Sequence, residues 1–468
     1  MHDPQRSDDP SLMTAARLVA LYKRGELSPV DATRAALQRI ERHDPEFNAY
    51  CWTASEQALE QAKRSEARWR RGEPVGLLDG VPLSVKDVLL TKGWPTLYGS
   101  RTVNKNRPWE TDAPAVSRVR EHGAILLGKT TTSEFHWKTV TDSPLTGITR
   151  NPWNPVLTPG GSCGGAAVAV ATGMGALAIG TDGGGSIRVP SSFCGVFGLK
   201  PTFGRVPRYP IASANMLAHV GAIARSVADA ALLLNVIAEP DLRDWYALPY
   251  EKRDYRVGIE DGVRGLRIAF SAKLGYVRVD AEVAGLVARA VERLSELGAH
   301  VEEDSPGFAD PKAAFEALWY PDLAATVDRI PAEQRSLMDP GLLNAANEGA
   351  QYTLRDQLLA LRERELVGER MQLFHADYDV LLTPTLPMVA FEVGRDVPDP
   401  AQYERWVDWA PFSYPFNLTR QPAASIPCGL TQPGLPVGLQ VVGPLYREDL
   451  VLRVCGALES ISPIILPV

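Results

Sequence analysis

The stretch "GGSCGGAAVAVATGMGALAIGTDGGGSIRVPSSFCGVFGLKPT", Gly160 to Thr202, decides how this chain is to be read. A glycine-rich loop carrying Ser162 and Cys163 leads into an Ala/Val run of helical composition, "GGAAVAVATGM". The apolar runs "GALAIGTDGGG" and "VFGLKP" then fit buried strands, with a second glycine cluster, Gly183 to Gly185, ending at Ser186. Glycines permit tight turns and leave backbone N–H groups open to an incoming oxygen, as acyl transfer requires. Two serines and a thiol therefore stand as candidate nucleophiles: Ser162, Cys163 and Ser186.

The same texture extends in both directions. From about residue 75, "GVPLSVKDVLL" and "GAILLGKT" read as strands and "TDAPAVSRVREHG" as a helix, which indicates an α/β sheet covered on both faces. Residues 1–74 read as a helical arm. In its second helix Ser28 can cap, Pro29 fits the first turn, and Asp31 suits the positive end. Residues 240–264 are polar and read as a surface loop, and 312–378 look largely helical. Strand texture returns in "YDVLLTPTLP" and "GLPVGLQVVGP", so one sheet shared by distant segments and separate domains both fit.

Whole-chain properties exclude several classes of function. The 468 residues carry a net charge of −7, and the densest basic cluster is "RWRRG" at Arg68–Gly72, which gives no nucleic-acid footprint. No apolar run is long enough to span a membrane, and the polar start "MHDPQRSDDP" lacks the features of a secretory signal, so a cytoplasmic protein is expected. Five scattered cysteines without a C-x-x-C pair argue against a disulfide framework or a zinc site. "GAILLGKT", Gly123–Thr130, satisfies a phosphate-loop pattern, but apolar residues fill the positions where a turn should be; nucleotide binding is the distant alternative.

A serine nucleophile needs a base. The seven histidines occupy no motif, and most are expected at the surface. Three lysines lie in apolar surroundings, Lys86, Lys129 and Lys200, and burial can lower a lysine pKa enough to make it a base. Local texture does not choose among them, and for each the alternative is an ammonium paired with a carboxylate such as Asp87.

Taken together, Gly160–Thr202 resembles the signature of the amidase signature family: a GGSSGG loop, a spacer, then G-T-D-x-G-G-S-I-R-x-P and G-L-K-P-T. "LDGVPLSVKDV", "GKTTTSEF", "NPWNP" and "PFNLTRQPAASIPCG" are similar to further elements of that family. The resemblance implies an α/β fold, with a mixed central sheet covered by helices in one large domain spanning 75–468. It implies amide hydrolysis through a seryl acyl-enzyme, with no metal or organic cofactor. The implied triad is Ser186 as nucleophile, Ser162 after a cis peptide bond as bridge, and Lys86 as base. Gly183, Gly184, Gly185 and Ser186 would supply the oxyanion hole through backbone N–H groups, with Asp182 and Arg188 holding that loop. Cys163 replaces the family's second loop serine in a supporting position, and Thr131 stands where Asn is usual.

The aromatic run "YERWVDWAPFSYPF" lies in a mostly helical region, 312–420, that is expected on the substrate side. Trp406, Trp409, Phe412 and Tyr414, with Thr131, Phe135, His136, Trp137, Trp319 and Tyr320, are the candidates for a pocket that takes an apolar or aromatic amide. Core packing is the competing reading of the same residues. The expected partner is a small-molecule amide, with a homodimer as the family's assembly. The alternative function is the glutamine-hydrolysing subunit of a tRNA-dependent amidotransferase.

Overall fold

The computed structural model describes residues 3–5, 7–210 and 216–467. Its apolar runs form one mixed sheet of eleven strands. In spatial order these are Tyr50–Thr53, Ile125–Thr130, Pro82–Lys86, Leu177–Asp182, His219–Ala224, Phe197–Lys200, Ala423–Leu430, Pro436–Val442, Val380–Pro384, Arg267–Phe270 and His300–Glu303. Two parallel wings flank an antiparallel centre. Pro82–Lys86 runs parallel to both of its neighbours, and Arg267–Phe270 to both of its own. The strands between pair antiparallel, from Leu177–Asp182 with His219–Ala224 through to Val380–Pro384 with Pro436–Val442.

Helices flank the sheet, and their burial follows their composition. The Ala/Val helix Gly164–Ala171 is buried on every side, which suits a segment with no polar face. Helix Ala281–Glu296 instead buries Val283, Leu286, Val287, Ala290, Val291 and Leu294 along one stripe and exposes its charges. Helix Pro29–Phe47 begins as its sequence predicts: the Ser28 hydroxyl accepts from the Asp31 N–H at 3.1 Å, with Pro29 in the first turn.

The N-terminal segment holds more than helices, since Tyr50–Thr53 forms an edge of the sheet against Ile125–Thr130. Residues 240–264 form no helix or strand, yet Tyr255, Ile259 and Val263 anchor them to the core. Strands Val380–Pro384 and Ala423–Leu430 pair with distant partners, which makes the chain one domain. The phosphate-loop-like string is the buried strand Ile125–Thr130. There the Lys129 Nζ donates to Leu89 O and to the hydroxyls of Thr91 and Thr96. No helix among the described residues is long and apolar enough to cross a membrane.

Candidate active site

Three strand ends and two glycine-rich turns converge on one buried point. Lys86 closes strand Pro82–Lys86, and its Nζ lies 2.8 Å from Ser162 Oγ and 3.0 Å from Thr181 Oγ1. Ser162 Oγ in turn lies 3.1 Å from Ser186 Oγ. The Gly161–Ser162 peptide bond is cis. Lys86 and Ser162 are inaccessible to solvent, whereas Ser186 keeps slight exposure at the wall of a cavity. Burial pushes the pKa of Lys86 down, against the opposing pull of Cys163 and Asp182.

The turn bearing Ser186 is held from below. Burial would raise the Asp182 carboxyl, but the Arg188 guanidinium, with Lys200 and Asn417, holds it far below the usual carboxylate range. Arg188 contacts Asp182 through Nε and Nη2 at 3.0 and 2.9 Å. Its remaining donors reach Ser413 O, Gln440 Oε1 and Asn417 Oδ1. The guanidinium is thus fully satisfied, as a buried charge must be.

Asp182 also shapes the turn directly, because its Oδ1 accepts from the Gly185 N–H at 2.8 Å. Here the structure departs from expectation: the Gly185 N–H builds the turn and is not open to substrate. The N–H groups of Gly183, Gly184 and Ser186 donate to no acceptor among the described residues. Gly183 and Gly184 have a packing reason to be glycine. A Cβ on Gly183 would stand 2.8 Å from Trp319, and one on Gly184 2.7 Å from Trp406.

Cys163 sits beside this relay without joining it. Its Sγ donates to Thr181 O at 3.1 Å and accepts from the Thr181 N–H at 3.3 Å, and its backbone N–H donates to Ser186 O. Burial pushes the thiol pKa up, against Lys86 and Thr181, so the reactive thiolate is disfavoured.

The Ser186 cavity, about 90 Å³, is lined mainly by Val88, Leu89, Tyr98, Ala113, Pro114 and Val220, together with His136, Arg208 and His219. Of the ten residues expected to wall a substrate pocket, only His136 lines it. Trp319 and Trp406 pack edge-to-face behind the glycine turn, and Phe315 packs against both. Trp409, Phe412 and Tyr414 are core residues, as are Trp137 and Tyr320. Phe135 stacks on Tyr98, and Thr131 is sealed in by Thr149 and the carbonyls of Asn48 and Ala49. The aromatic segment therefore supports the glycine turn from the core side, because its rings fill the volume that side chains on those glycines would need.

The histidines also depart from expectation: among those described, only His300 is exposed. His136 and His219 reach the cavity, yet neither hydrogen-bonds Ser186. Burial, with a smaller contribution from Lys86, lowers the pKa of His136 to about 3. Sequence reasoning missed Thr181, the second partner of Lys86, although it stands inside the quoted "TDGGGSIR"; it missed Asn417, Ser413 and Gln440 because nothing local marks them as partners of Arg188. Among the described residues no group of three or more His, Cys, Asp or Glu side chains could hold a metal ion.

Comparison with known proteins matches residues 31–452 to the family model described as Amidase. The chain is similar to an acylamidase of Rhodococcus erythropolis, 36% identical over 96% of both chains. It is also similar to a glutamyl-tRNA(Gln) amidotransferase subunit of Moorella thermoacetica, 38% identical over 96% of both. Among solved structures, a bacterial aryl acylamidase superposes with TM-score 0.90 at 30% identity, covering 96% of each chain. A 6-aminohexanoate cyclic dimer hydrolase superposes with TM-score 0.88 at 28% identity, covering 97% of this chain and 98% of that one.

Proposed function

Since the chain belongs to the amidase signature family and is an amidohydrolase, we propose that it cleaves a small-molecule carboxamide through an acyl-enzyme on Ser186, with Lys86 as base and Ser162 as bridge. The observation that carries this reading is the unbroken line Lys86 Nζ, Ser162 Oγ, Ser186 Oγ, with steps of 2.8 and 3.1 Å. With Lys86 neutral, its lone pair accepts from the Ser162 hydroxyl, whose oxygen accepts from Ser186. As Ser186 Oγ bonds to the amide carbon, its proton passes to Ser162 and the Ser162 proton to Lys86. The carbonyl π electrons move onto oxygen, which the N–H groups of Gly183, Gly184 and Ser186 stabilise. The relay then runs backwards and protonates the departing nitrogen as the C–N bond breaks. Water, deprotonated through the same line, releases the carboxylic acid and restores Ser186.

Asp182 and Arg188 act as positioning residues, because they fix the turn and touch no reacting atom. The apolar lining from Val88, Leu89, Pro114 and Val220 supports an amide with an apolar portion. The five unpaired cysteines support a reducing compartment, hence the cytoplasm. The test is a panel of amides hydrolysed by the wild type and by Ser186→Ala. Ester-linked acylation of Ser186 and loss of turnover in the variant are expected; unchanged turnover would sink the nucleophile assignment.

A second reading, glutamine hydrolysis within a tRNA-dependent amidotransferase, is favoured by the 38% identical relative that carries that name. It predicts glutaminase activity that rises when partner subunits are added. Flat activity across that titration, with efficient hydrolysis of other amides, removes it.

A further inference from the structure

The cavity beside Ser186 contains a cation that the proposed relay does not use. The Arg208 Nη2 is buried without a hydrogen-bond partner, and the guanidinium forms no ion pair with any described residue. Asp244 is the nearby carboxylate and its charge favours the guanidinium, but its oxygens form no ion pair with it. They accept from the backbone N–H groups of Arg208 at 2.8 Å and Tyr246 at 2.9 Å. The guanidinium lies over the Phe203 ring, 4.9 Å from its centroid. His219 packs edge-on against the same Phe203 ring, and its Nδ1 lies 2.7 Å from Leu217 O, which sets the proton on Nδ1 and leaves the buried Nε2 as an acceptor without a partner. Burial and the neighbouring Lys200 push the pKa of His219 well below its ordinary value, so that ring is neutral. An acceptor nitrogen cannot hold an anion, which leaves Arg208 as the cation that lines the cavity.

A guanidinium nitrogen buried without an acceptor is costly, and a planar carboxylate matches the fork of donors that Arg208 presents. We infer that Arg208 binds a carboxylate of the substrate, so that the preferred substrates are amides carrying a carboxylate away from the scissile carbonyl. The inference rests on Ser186 as the nucleophile, since the cavity is placed by that residue.

The experiment compares pairs of amides that differ only by a terminal carboxylate or the isosteric methyl ketone, with the terminal group on the acyl side in one pair and on the amine side in another. The readout is the ratio of kcat/KM within each pair. In the wild type, one pair favours the carboxylate by about tenfold or more, the effect of one charged contact. Arg208→Met brings that ratio towards one, chiefly through KM, and Arg208→Lys restores part of it. A partly misfolded variant lowers both rates alike and leaves the ratio untouched, so a ratio retained in Arg208→Met overturns the inference. A wild type without preference in either pair overturns it too. Turnover of both members by Ser186→Ala would instead indict the nucleophile, and is read separately.

Discussion

Lys86 and Lys129 occupy adjacent parallel strands, one residue apart in register, with Val85 opposite Lys129 and Lys86 opposite Thr130. Both are fully buried, and burial lowers the pKa of each, that of Lys129 to about 8. They differ in what they touch. Lys129 Nζ bonds the hydroxyls of Thr91 and Thr96, but it also points at Leu89 O, 2.5 Å away, with Asp87 Oδ1 at 3.8 Å, acceptors that cannot donate in return. Lys86 Nζ meets the hydroxyls of Ser162 and Thr181 and lies beside the Cys163 thiol, groups that can donate as well as accept. Burial makes a lysine easier to deprotonate, but partners that tolerate the neutral amine make it a base.

The strongest way to break this contrast is Lys86→Ala. We expect kcat for amide hydrolysis to fall by about 10³-fold or more, as when a catalytic base is removed from a serine relay. Retention of activity within tenfold, measured on a folded variant, would move the base elsewhere.

Lys129→Met should do the reverse. It leaves Asp87 buried without its cation and removes the shortest of the bonds to Leu89 O, which the Thr91 and Thr96 hydroxyls also reach, for a loss of about 3 kcal/mol in stability by denaturant unfolding. Active-site titration should show turnover per folded molecule changed by less than about threefold. A collapse of kcat per folded molecule would make Lys129 part of the relay.

The two lysines also predict different pH signatures. Lys86 must be neutral to accept a proton, so kcat/KM rises with pH through its lowered pKa and then levels off. Lys129 acts on stability. Between about 8, its folded pKa, and the ordinary 10.5, the unfolded state binds more protons, so stability rises with pH across that window and falls back as pH drops through 8. Lys129→Met should remove this rise while the activity profile keeps its shape; both are read by unfolding and rate measurements across pH.

The smallest effect is expected from Cys163→Ser. A serine hydroxyl can keep the contacts to Thr181 O and N–H, so kcat/KM should stay within about fivefold of wild type. A loss of several hundredfold would make the thiol chemically active and sharpen its difference from Ser162.

Legibility differed among elements for physical reasons. Local chemistry decided the start of helix Pro29–Phe47, because a cap involves residues a few positions apart, and Ser28 and Asp31 were readable as such. The buried strands were readable as apolar runs bounded by glycine. The edge strand Tyr50–Thr53 was not, since its residues alternate weakly and only the neighbouring Ile125–Thr130 makes them a strand. The aromatic segment was misplaced for a related reason: composition shows that Trp406 and Trp409 need burial, but not which surface buries them.

The sequence by itself determined the α/β class, the two glycine turns and the set of serines and lysines from which a relay could be drawn, because backbone freedom, periodicity and side-chain chemistry are local properties. Tertiary structure decided the rest. It set Lys86 rather than Lys129 against a serine, engaged the Gly185 N–H with Asp182, turned Trp319 and Trp406 to the back of the glycine loop, and left Arg208, a cavity-lining residue, with its Nη2 unbonded. Each depends on which atoms from distant segments arrive within about 3 Å, and hydrogen bonding falls off too steeply with distance for sequence spacing to stand in for it.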